Sequence, residues 1–250
     1  MQIIDQSRAT GPARLTGQTS RTLSEGRCGI DHSCMVEITG NQQYCADPER
    51  DCPVKKHALY KKLERCGIHR RFRDCTFENI EKVGVPESVR EQYGQVKEYA
   101  VNLKENIAEG RGLLLKGSVG TMKTTLAVAV LQEHIARGGS GLFITMSSLL
   151  DNIFTLKARN PEEWANFEQR VRETPLLVLD DLGAEYTEGW VLTKVDAIIS
   201  ERYNRCRSVI VTTNLTAEQL RGVYAERVID RLRSTLKVVN FSGRSLRVPA

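Results

Sequence analysis

Residues 112–125 read GLLLKGSVGTMKTT, and this stretch decides the fold. The apolar run at 113–115 predicts a short buried strand, and the Lys-Thr pair at 123–124 predicts the start of a helix. Gly117 and Gly120 allow the intervening backbone to curl, so that successive N–H groups face phosphate oxygens. The N-terminus of the following helix adds the positive end of its dipole. The stretch therefore predicts a strand–loop–helix unit that binds ATP together with Mg²⁺.

Within this loop, Lys123 is expected to reach the β- and γ-phosphates, and the Thr124 hydroxyl is expected to ligate Mg²⁺. Met122 stands where the usual pattern has glycine, so a side chain there either crowds the phosphates or imposes a less permissive backbone angle. Met122 is expected to affect nucleotide affinity and turnover more than the fold. The residues predicted to contact the nucleotide from the loop are Gly117, Ser118, Val119, Gly120, Thr121, Met122, Lys123, Thr124 and Thr125.

The sequence after the loop alternates short apolar runs with longer helical patterns, which predicts an α/β fold. Strands joined by helices make right-handed crossovers, and these build a parallel sheet that is covered by helices on both faces. The predicted strands are residues 112–116, 141–145, 176–179 and 208–211. The predicted helices between them are residues 123–137, 147–172 with a break at 160–161, and 188–205.

Polar residues follow two of the predicted strands. Asp180 and Asp181 end the apolar run at 176–179, and Asn214 ends the run at 209–211. In open α/β sheets the carboxyl ends of the strands carry the ligand site. We therefore expect Asp180 to hold Mg²⁺ through water, and Asp181 to orient and deprotonate the attacking water. Asn214 is expected to hold that water or sense the γ-phosphate, although an asparagine after a strand is often only a turn residue.

Two arginines near the C-terminus share one face of a predicted helix. Arg227 and Arg231 lie four residues apart, so either can reach the γ-phosphate held by a neighbouring subunit and stabilise the transition state. The alternative is a local surface lattice with acidic neighbours. Farther along the chain, Arg247 or Arg244 is placed to contact the nucleotide from the lid side.

Composition is ordinary for a globular protein, with 40% hydrophobic and 27% charged residues. The net charge of +5 permits contact with nucleic acid without establishing it. No apolar run approaches the roughly 18–20 residues that span a bilayer. These features predict a cytoplasmic protein without membrane contact. The expected organisation is a flexible tail at 1–26, a cysteine-rich partner-binding module at 27–75, and an ATPase domain at 76–250, with helices at 54–65 and 86–108.

Six of the seven cysteines lie before residue 76, and the first four form a candidate metal site. Four thiolates can bind one Zn²⁺ tetrahedrally and stabilise a segment too small for its own core. The predicted ligands are Cys28, Cys34, Cys45 and Cys52, although His32 or His57 can replace one of them. The spacing lacks a tight Cys-x2-Cys pair, so an iron–sulfur cluster and unligated cysteines stay open as alternatives.

Several motifs together resemble one family. The phosphate loop, residues 179–185 (LDDLGAE), residues 198–203 (IISERY), residues 212–215 (TTNL) and residues 230–232 (DRL) are similar to bacterial replicative-helicase loaders of the DnaC/DnaI type. They are equally similar to the related IstB-type ATPase helpers of transposition. Residues 63–79 also resemble the segment that precedes the ATPase core in such loaders.

The resemblance implies an AAA+ fold that self-associates side by side, with ATP at the subunit interfaces. It places Arg231 at the position of the arginine finger, with Arg227 as a neighbouring candidate, and Asn214 at the sensor-1 position. Arg247 is a looser match to the lid arginine. The implied partners are a replicative helicase hexamer and single-stranded DNA. The residues expected to contact the DNA phosphates are Lys157, Arg159, Arg170 and Arg172.

The resemblance predicts an ATP-regulated helicase loader with weak ATPase activity. Two alternatives stay open. One is an IstB-type helper with a transposase as partner, and the other is an adaptor in which Met122 prevents productive hydrolysis.

Overall fold

A computed structural model describes the backbone of residues 24–27, 35–39, 42–45, 53–183 and 189–247. Side chains are described for residues 58–156, 159–183 and 191–247. The chain divides into two compact units, Met1–Ala58 and Leu59–Ala250.

The first unit contains a three-stranded antiparallel sheet in the order β1 (Ser24–Arg27), β2 (Met35–Thr39) and β3 (Gln42–Cys45). Its first strand begins three residues inside the segment predicted as a tail. Residues 1–23 and the predicted zinc ligands Cys28, Cys34 and Cys52 lie outside the described residues. The same holds for the side chain of Cys45.

The second unit is built on a five-stranded sheet in which every pair of neighbouring strands is parallel. Its order is β5-β6-β7-β4-β8, with β4 (Gly112–Gly117), β5 (Gly141–Thr145), β6 (Leu176–Asp180), β7 (Ser208–Thr213) and β8 (Leu236–Phe241). The four predicted strands are confirmed. The edge strand β8 was not predicted, because exposed residues such as Lys237 and Asn240 interrupt its apolar pattern.

Ten helices are described. Those before the phosphate loop are α1 (Pro53–Arg65), α2 (Phe77–Val83), α3 (Arg90–Val101) and α4 (Leu103–Ala108). Those after it are α5 (Lys123–Ala136), α6 (Met146–Arg159), α7 (Pro161–Glu173), α8 (Gly189–Asn204), α9 (Ala217–Val223) and α10 (Glu226–Thr235). No helix in the described ranges combines the length and the apolar character needed to span a membrane.

Two of the sequence-based helix predictions can be compared directly with these bounds. The break at residues 160–161 is confirmed, since the Asn160 side chain accepts a hydrogen bond from the Glu163 N–H, and Pro161 occupies the first helical turn. The single helix predicted for residues 86–108 is wrong in detail. A 3₁₀ turn follows Pro86, and the helix is interrupted at Asn102, whose backbone leaves helical geometry.

The sheet separates two apolar layers, and both of its faces are buried. One layer packs α3 and α5 against the sheet, and it also contains Leu63, Ile68 and Phe77 from the segment before the core. The other layer packs α6, α8 and α10 on the opposite face. The second unit therefore begins at Leu59 and not at the predicted residue 76, because residues 63–77 bury apolar side chains in its core.

Candidate nucleotide site

The phosphate loop joins β4 to α5, as the sequence predicts. Gly117 and Gly120 have φ angles of 137° and 77°, in the region that favours glycine. A Cβ atom on Gly117 would lie 1.8 Å from the Phe241 carbonyl oxygen of β8. The loop is thus tightly enclosed by the neighbouring edge strand.

Met122 adopts the left-handed conformation, with φ 68° and ψ 9°, at the position directly before α5. This is the conformation that glycine adopts without a steric penalty, and a non-glycine residue loses about 1–2 kcal/mol there. The Met122 side chain packs against the apolar layer that contains α5. The substitution therefore preserves the course of the loop, and packing partly offsets its conformational strain.

Lys123 begins α5 and is only 6% exposed. Its Nζ donates to the carbonyl oxygens of Gly117, at 2.8 Å, and Ser118, at 2.6 Å. Burial lowers the pKa of Lys123, while the nearby Asp181 and Asp180 carboxylates act in the opposite direction. The ammonium group thus lies beneath the phosphate loop, within a short side-chain movement of any phosphate the loop binds.

Asp180 ends β6 and is almost completely buried. It accepts a hydrogen bond from the Thr212 hydroxyl at 2.6 Å, and the Thr124 hydroxyl lies close enough to lower its pKa. Burial raises the pKa of Asp180, and the two hydroxyl contacts oppose that rise. Thr124 and Asp180 therefore present adjacent oxygen atoms, which is the chemistry that Mg²⁺ requires.

Asp181 and Asn214 form a second pair across neighbouring strands. Asn214 Nδ2 donates to Asp181 Oδ1 at 2.8 Å, and the Asp181 N–H donates to the Thr212 hydroxyl at 2.9 Å. Asp181 has a positive φ of 61°. The fold thus holds this carboxylate in a left-handed turn, oriented by an amide group from the next strand.

Residues 119–125 of the loop and helix start, with Asp180, Asp181 and Asn214, line one cleft of about 570 Å³, a volume within the range of small-molecule sites. The predicted contact residues Gly117 and Ser118 do not line it. Two of its lining residues, Arg71 and Phe72, come from the segment before the ATPase core and are not among the predicted site residues. They belong to a 3₁₀ turn, and Gln132 of α5 fixes that turn by donating to the carbonyl oxygens of Phe72 and Cys75, both at 2.9 Å. No local periodicity indicates this contact, because it depends on residues some sixty positions apart in the chain.

Arg247 also lines the cleft, as the lid-side prediction expects, whereas Arg244 is not among the lining residues. The Leu246 N–H donates to the Gly120 carbonyl oxygen at 2.9 Å. The segment after β8 therefore lies directly over the phosphate loop and brings Arg247 close enough to lower the pKa of Lys123.

Arg227 and Arg231 do not line this cleft. Both side chains lie on α10 and reach Asp196 of α8 in the same chain. The cleft thus contains the phosphate loop, both aspartates and Asn214, while the two predicted finger arginines lie on a different surface.

The four residues predicted to contact DNA differ in their exposure and in their contacts within the chain. Arg159 and Arg170 are exposed on α6 and α7, and Arg170 also donates to the Arg65 carbonyl oxygen. Arg172 is engaged by Glu168 at 2.7 Å. The Lys157 side chain lies outside the described residues.

Among the residues with described side chains, no group of three or more His, Cys, Asp or Glu residues could hold a metal ion. The four predicted zinc ligands are not among those residues.

A phosphate loop, an acidic strand end and a polar strand end meet at one edge of a parallel sheet ordered β5-β6-β7-β4-β8. This combination defines a P-loop ATPase of the AAA+ class. The sequence profile described as IstB-like ATP binding protein matches residues 95–250. The chain belongs to this family.

Curated relatives agree with this assignment. The chain is 30% identical over 182 residues to the replicative helicase loader DnaC of Buchnera aphidicola subsp. Baizongia pistaciae, covering 72% of this chain and 71% of that protein. It is 27% identical over 180 residues to the replicative helicase loader DnaC of Escherichia coli, covering 70% and 69%.

Solved structures share the fold. The crystal structure of the DnaC helicase loader matches with a TM-score of 0.56 and 29% identity, over 63% of this chain and 92% of that one. The replication initiator DnaA bound to AMPPCP and single-stranded DNA matches with a TM-score of 0.57 and 21% identity, over 70% of this chain and 51% of that one. The second match supports the fold alone.

Proposed function

We propose that this chain is an ATP-dependent loader of a replicative DNA helicase. The observation that carries the proposal is a cleft lined by the phosphate loop, two aspartates and Asn214, in a chain that is 30% identical to a replicative helicase loader over 182 residues. A loader needs a nucleotide site that changes its contacts between states. This cleft meets that need, because Lys123, Asp181 and Asn214 each have own-chain contacts that a bound nucleotide can replace.

The residues of the cleft have distinct roles in the proposed ATPase cycle. Bound Mg²⁺-ATP supplies the phosphoryl group whose transfer to water changes the loader's state. The loop N–H groups and Lys123 bind the phosphates, and Thr124 with Asp180 holds Mg²⁺. Asp181 accepts the proton of the attacking water while Asn214 orients that carboxylate. Arg247 stabilises phosphate charge from the same chain.

Arg231, with Arg227 beside it, acts on the nucleotide of a neighbouring copy. Neither arginine lines the nucleotide cleft of its own chain, and Arg227 is exposed; both observations support this arrangement. Because the site is completed only between subunits and Met122 leaves the loop strained, we propose that hydrolysis is slow in the isolated chain.

Single-stranded DNA is the second proposed partner. Arg159 and Arg170 lie exposed on the helices that follow β5, where both can contact phosphates, although Arg170 must then give up its contact with the Arg65 carbonyl oxygen. Arg172 is a poorer candidate, because Glu168 already neutralises it.

The first experiment is co-sedimentation of the full chain with the hexameric replicative helicase of the same organism, with Mg²⁺-ATP, with ADP and without nucleotide. Fork-shaped DNA then reports helicase loading as strand separation. The proposal expects binding to the helicase and ATP-dependent loading. Absence of binding in every nucleotide state would refute it. The matched control is Lys123→Ala, which leaves the sheet intact and weakens the ATP response.

The family assignment favours one other candidate, an IstB-type helper of a transposase. The ATPase domain would be the same in both functions, and only the protein partner would differ. Binding to a transposase from the same genome, without binding to the helicase, would select this function.

The adaptor alternative rests on Met122. It predicts that the chain does not hydrolyse Mg²⁺-ATP even when a partner and single-stranded DNA are present.

We also propose that Cys28, Cys34, Cys45 and Cys52 bind zinc. Elemental analysis of the purified full chain tests this, with a variant in which Cys28 and Cys34 are changed to serine as the comparison.

A further inference from the structure

The two candidate finger arginines converge on one carboxylate. Arg227 Nε donates to Asp196 Oδ2 at 2.7 Å, and a terminal nitrogen of Arg227 contacts the same oxygen. Arg231 approaches the other oxygen, Oδ1, at 3.4 Å. Asp196 lies on α8, and its side chain is 12% exposed, so it is more shielded from water than either arginine.

Arg231 is held by further groups on the same face of α8. Its terminal nitrogen donates to the Ser200 hydroxyl at 2.5 Å, and its guanidinium lies 5.9 Å from the centre of the Tyr203 ring. The Ser200 hydroxyl in turn donates to Asp196 Oδ1 at 3.0 Å. Residues 196, 200 and 203 follow helical spacing, so they form one row facing α10.

The helix that carries this row is anchored to the sheet. Arg202 of α8 is fully buried and donates to the carbonyl oxygens of Val171 and Thr174, both at 2.9 Å. It also donates to the Ser208 carbonyl oxygen at the start of β7. The row is therefore carried on an element with little freedom to rotate.

We propose that Asp196, together with Ser200, is a positioning residue that holds the arginine pair of α10 ready for a neighbouring subunit's nucleotide. Two guanidinium groups four residues apart repel each other, and one shared carboxylate keeps them together without neutralising both. Arg231 is only 27% exposed, whereas Arg227 is 67% exposed. Among the residues with described side chains, Arg231 contacts Asp196, Ser200 and Tyr203, and Arg227 contacts Asp196. Arg231 is therefore the oriented finger and Arg227 its mobile neighbour. The inference rests on the proposed action of these arginines in trans.

Preorganised charge stabilises a transition state more than a side chain that must be ordered during the reaction. Asp196→Asn keeps the shape of the side chain and removes its charge, so turnover should fall about tenfold, the lower end of what loss of an orienting group costs elsewhere. The affinity for Mg²⁺-ATP should not change, because Asp196 does not line the cleft.

The test measures kcat, KM and nucleotide affinity of the full chain for Asp196→Asn, Ser200→Ala and Ser200→Thr. Ser200→Ala should lower kcat by a smaller factor, and Ser200→Thr, which retains the hydroxyl, should restore it. Glu201→Gln is the matched control, because it removes a carboxylate of the same helix that engages Arg205 instead. ATP-dependent self-association, followed by sedimentation, gives a second measure that does not need fast turnover.

The deciding comparison repeats Asp196→Asn in a chain that carries Arg227→Ala and Arg231→Ala. A positioning residue has no further effect there, whereas a general structural defect lowers kcat again. The proposal would be overturned if kcat of the Asp196→Asn single variant were unchanged or higher, or if the same loss appeared in the chain with both alanine substitutions. If the double-alanine chain itself matches the wild type in turnover and self-association, the proposed action of the arginines in trans also fails, while ATP-dependent helicase binding can still stand.

Discussion

The phosphate cleft and the arginine pair of α10 are built in different ways. The cleft lies at the carboxyl ends of adjacent strands, where backbone geometry brings Lys123, Asp180 and Asn214 together. The arginine pair lies on a helix surface, where Asp196 and Ser200 hold it outside the cleft. In the proposed function, the cleft binds ATP, and the arginine pair takes part in hydrolysis only when a second copy is present. Binding and turnover should therefore respond to different substitutions.

The largest expected effect is on turnover. Arg231→Ala should lower kcat by about 10³-fold, since an arginine finger contributes roughly 10³–10⁵ to phosphoryl transfer. ATP affinity should stay near the wild-type value. Steady-state kinetics and equilibrium nucleotide binding, measured on the same preparation, separate the two parameters. A parallel loss of binding would mean that the residue belongs to the cleft.

Lys123→Ala should weaken ATP binding itself. Removing a charged donor from the phosphates weakens binding by about 1.5–3 kcal/mol, or roughly 10–150-fold. Titration calorimetry with Mg²⁺-ATP measures this loss. Lys116→Ala, in strand β4 just before the phosphate loop and outside the residues that line the cleft, is the control and should bind as the wild type does.

Thr212→Val sharpens the account of the acidic strand end. The Thr212 hydroxyl donates to Asp180 and accepts from the Asp181 N–H, and the residue is 2% exposed. Replacing it by a side chain of similar shape leaves a buried carboxylate with one donor fewer, so the free energy of unfolding should fall by about 1–3 kcal/mol. Chemical denaturation measures this change. A fall below about 0.5 kcal/mol would show that Asp180 does not depend on this donor.

The smallest expected effect concerns Met122. Met122→Gly relieves about 1–2 kcal/mol of left-handed strain but loses side-chain packing, so stability should change little. Met122→Ala retains the strain and also loses packing, so it should be the less stable variant. Thermal unfolding of the pair gives the order directly. Equal stability of the two variants would contradict the assigned strain.

The sequence predicted the cleft better than its surroundings. Continuous apolar runs predicted four strands. Asp180, Asp181 and Asn214 follow two of those runs, which predicted that they lie together at one edge of the sheet. Arg71 and Phe72 escaped prediction, because their place depends on distant contacts from Gln132. The edge strand β8 was missed because its solvent-facing polar residues hide the apolar pattern. Asp196 was missed because an isolated aspartate in a helix carries no motif, and its role appears only when α8 and α10 pack together.

The most direct test of a site shared between subunits mixes two inactive variants. Lys123→Ala chains bind ATP poorly but present Arg231, and Arg231→Ala chains bind ATP but present no finger. The account predicts that the mixture hydrolyses Mg²⁺-ATP well above the sum of the two variants alone, because one kind of interface has both halves intact. A mixture that shows only the sum would contradict the claim that Arg231 acts on a neighbour's nucleotide.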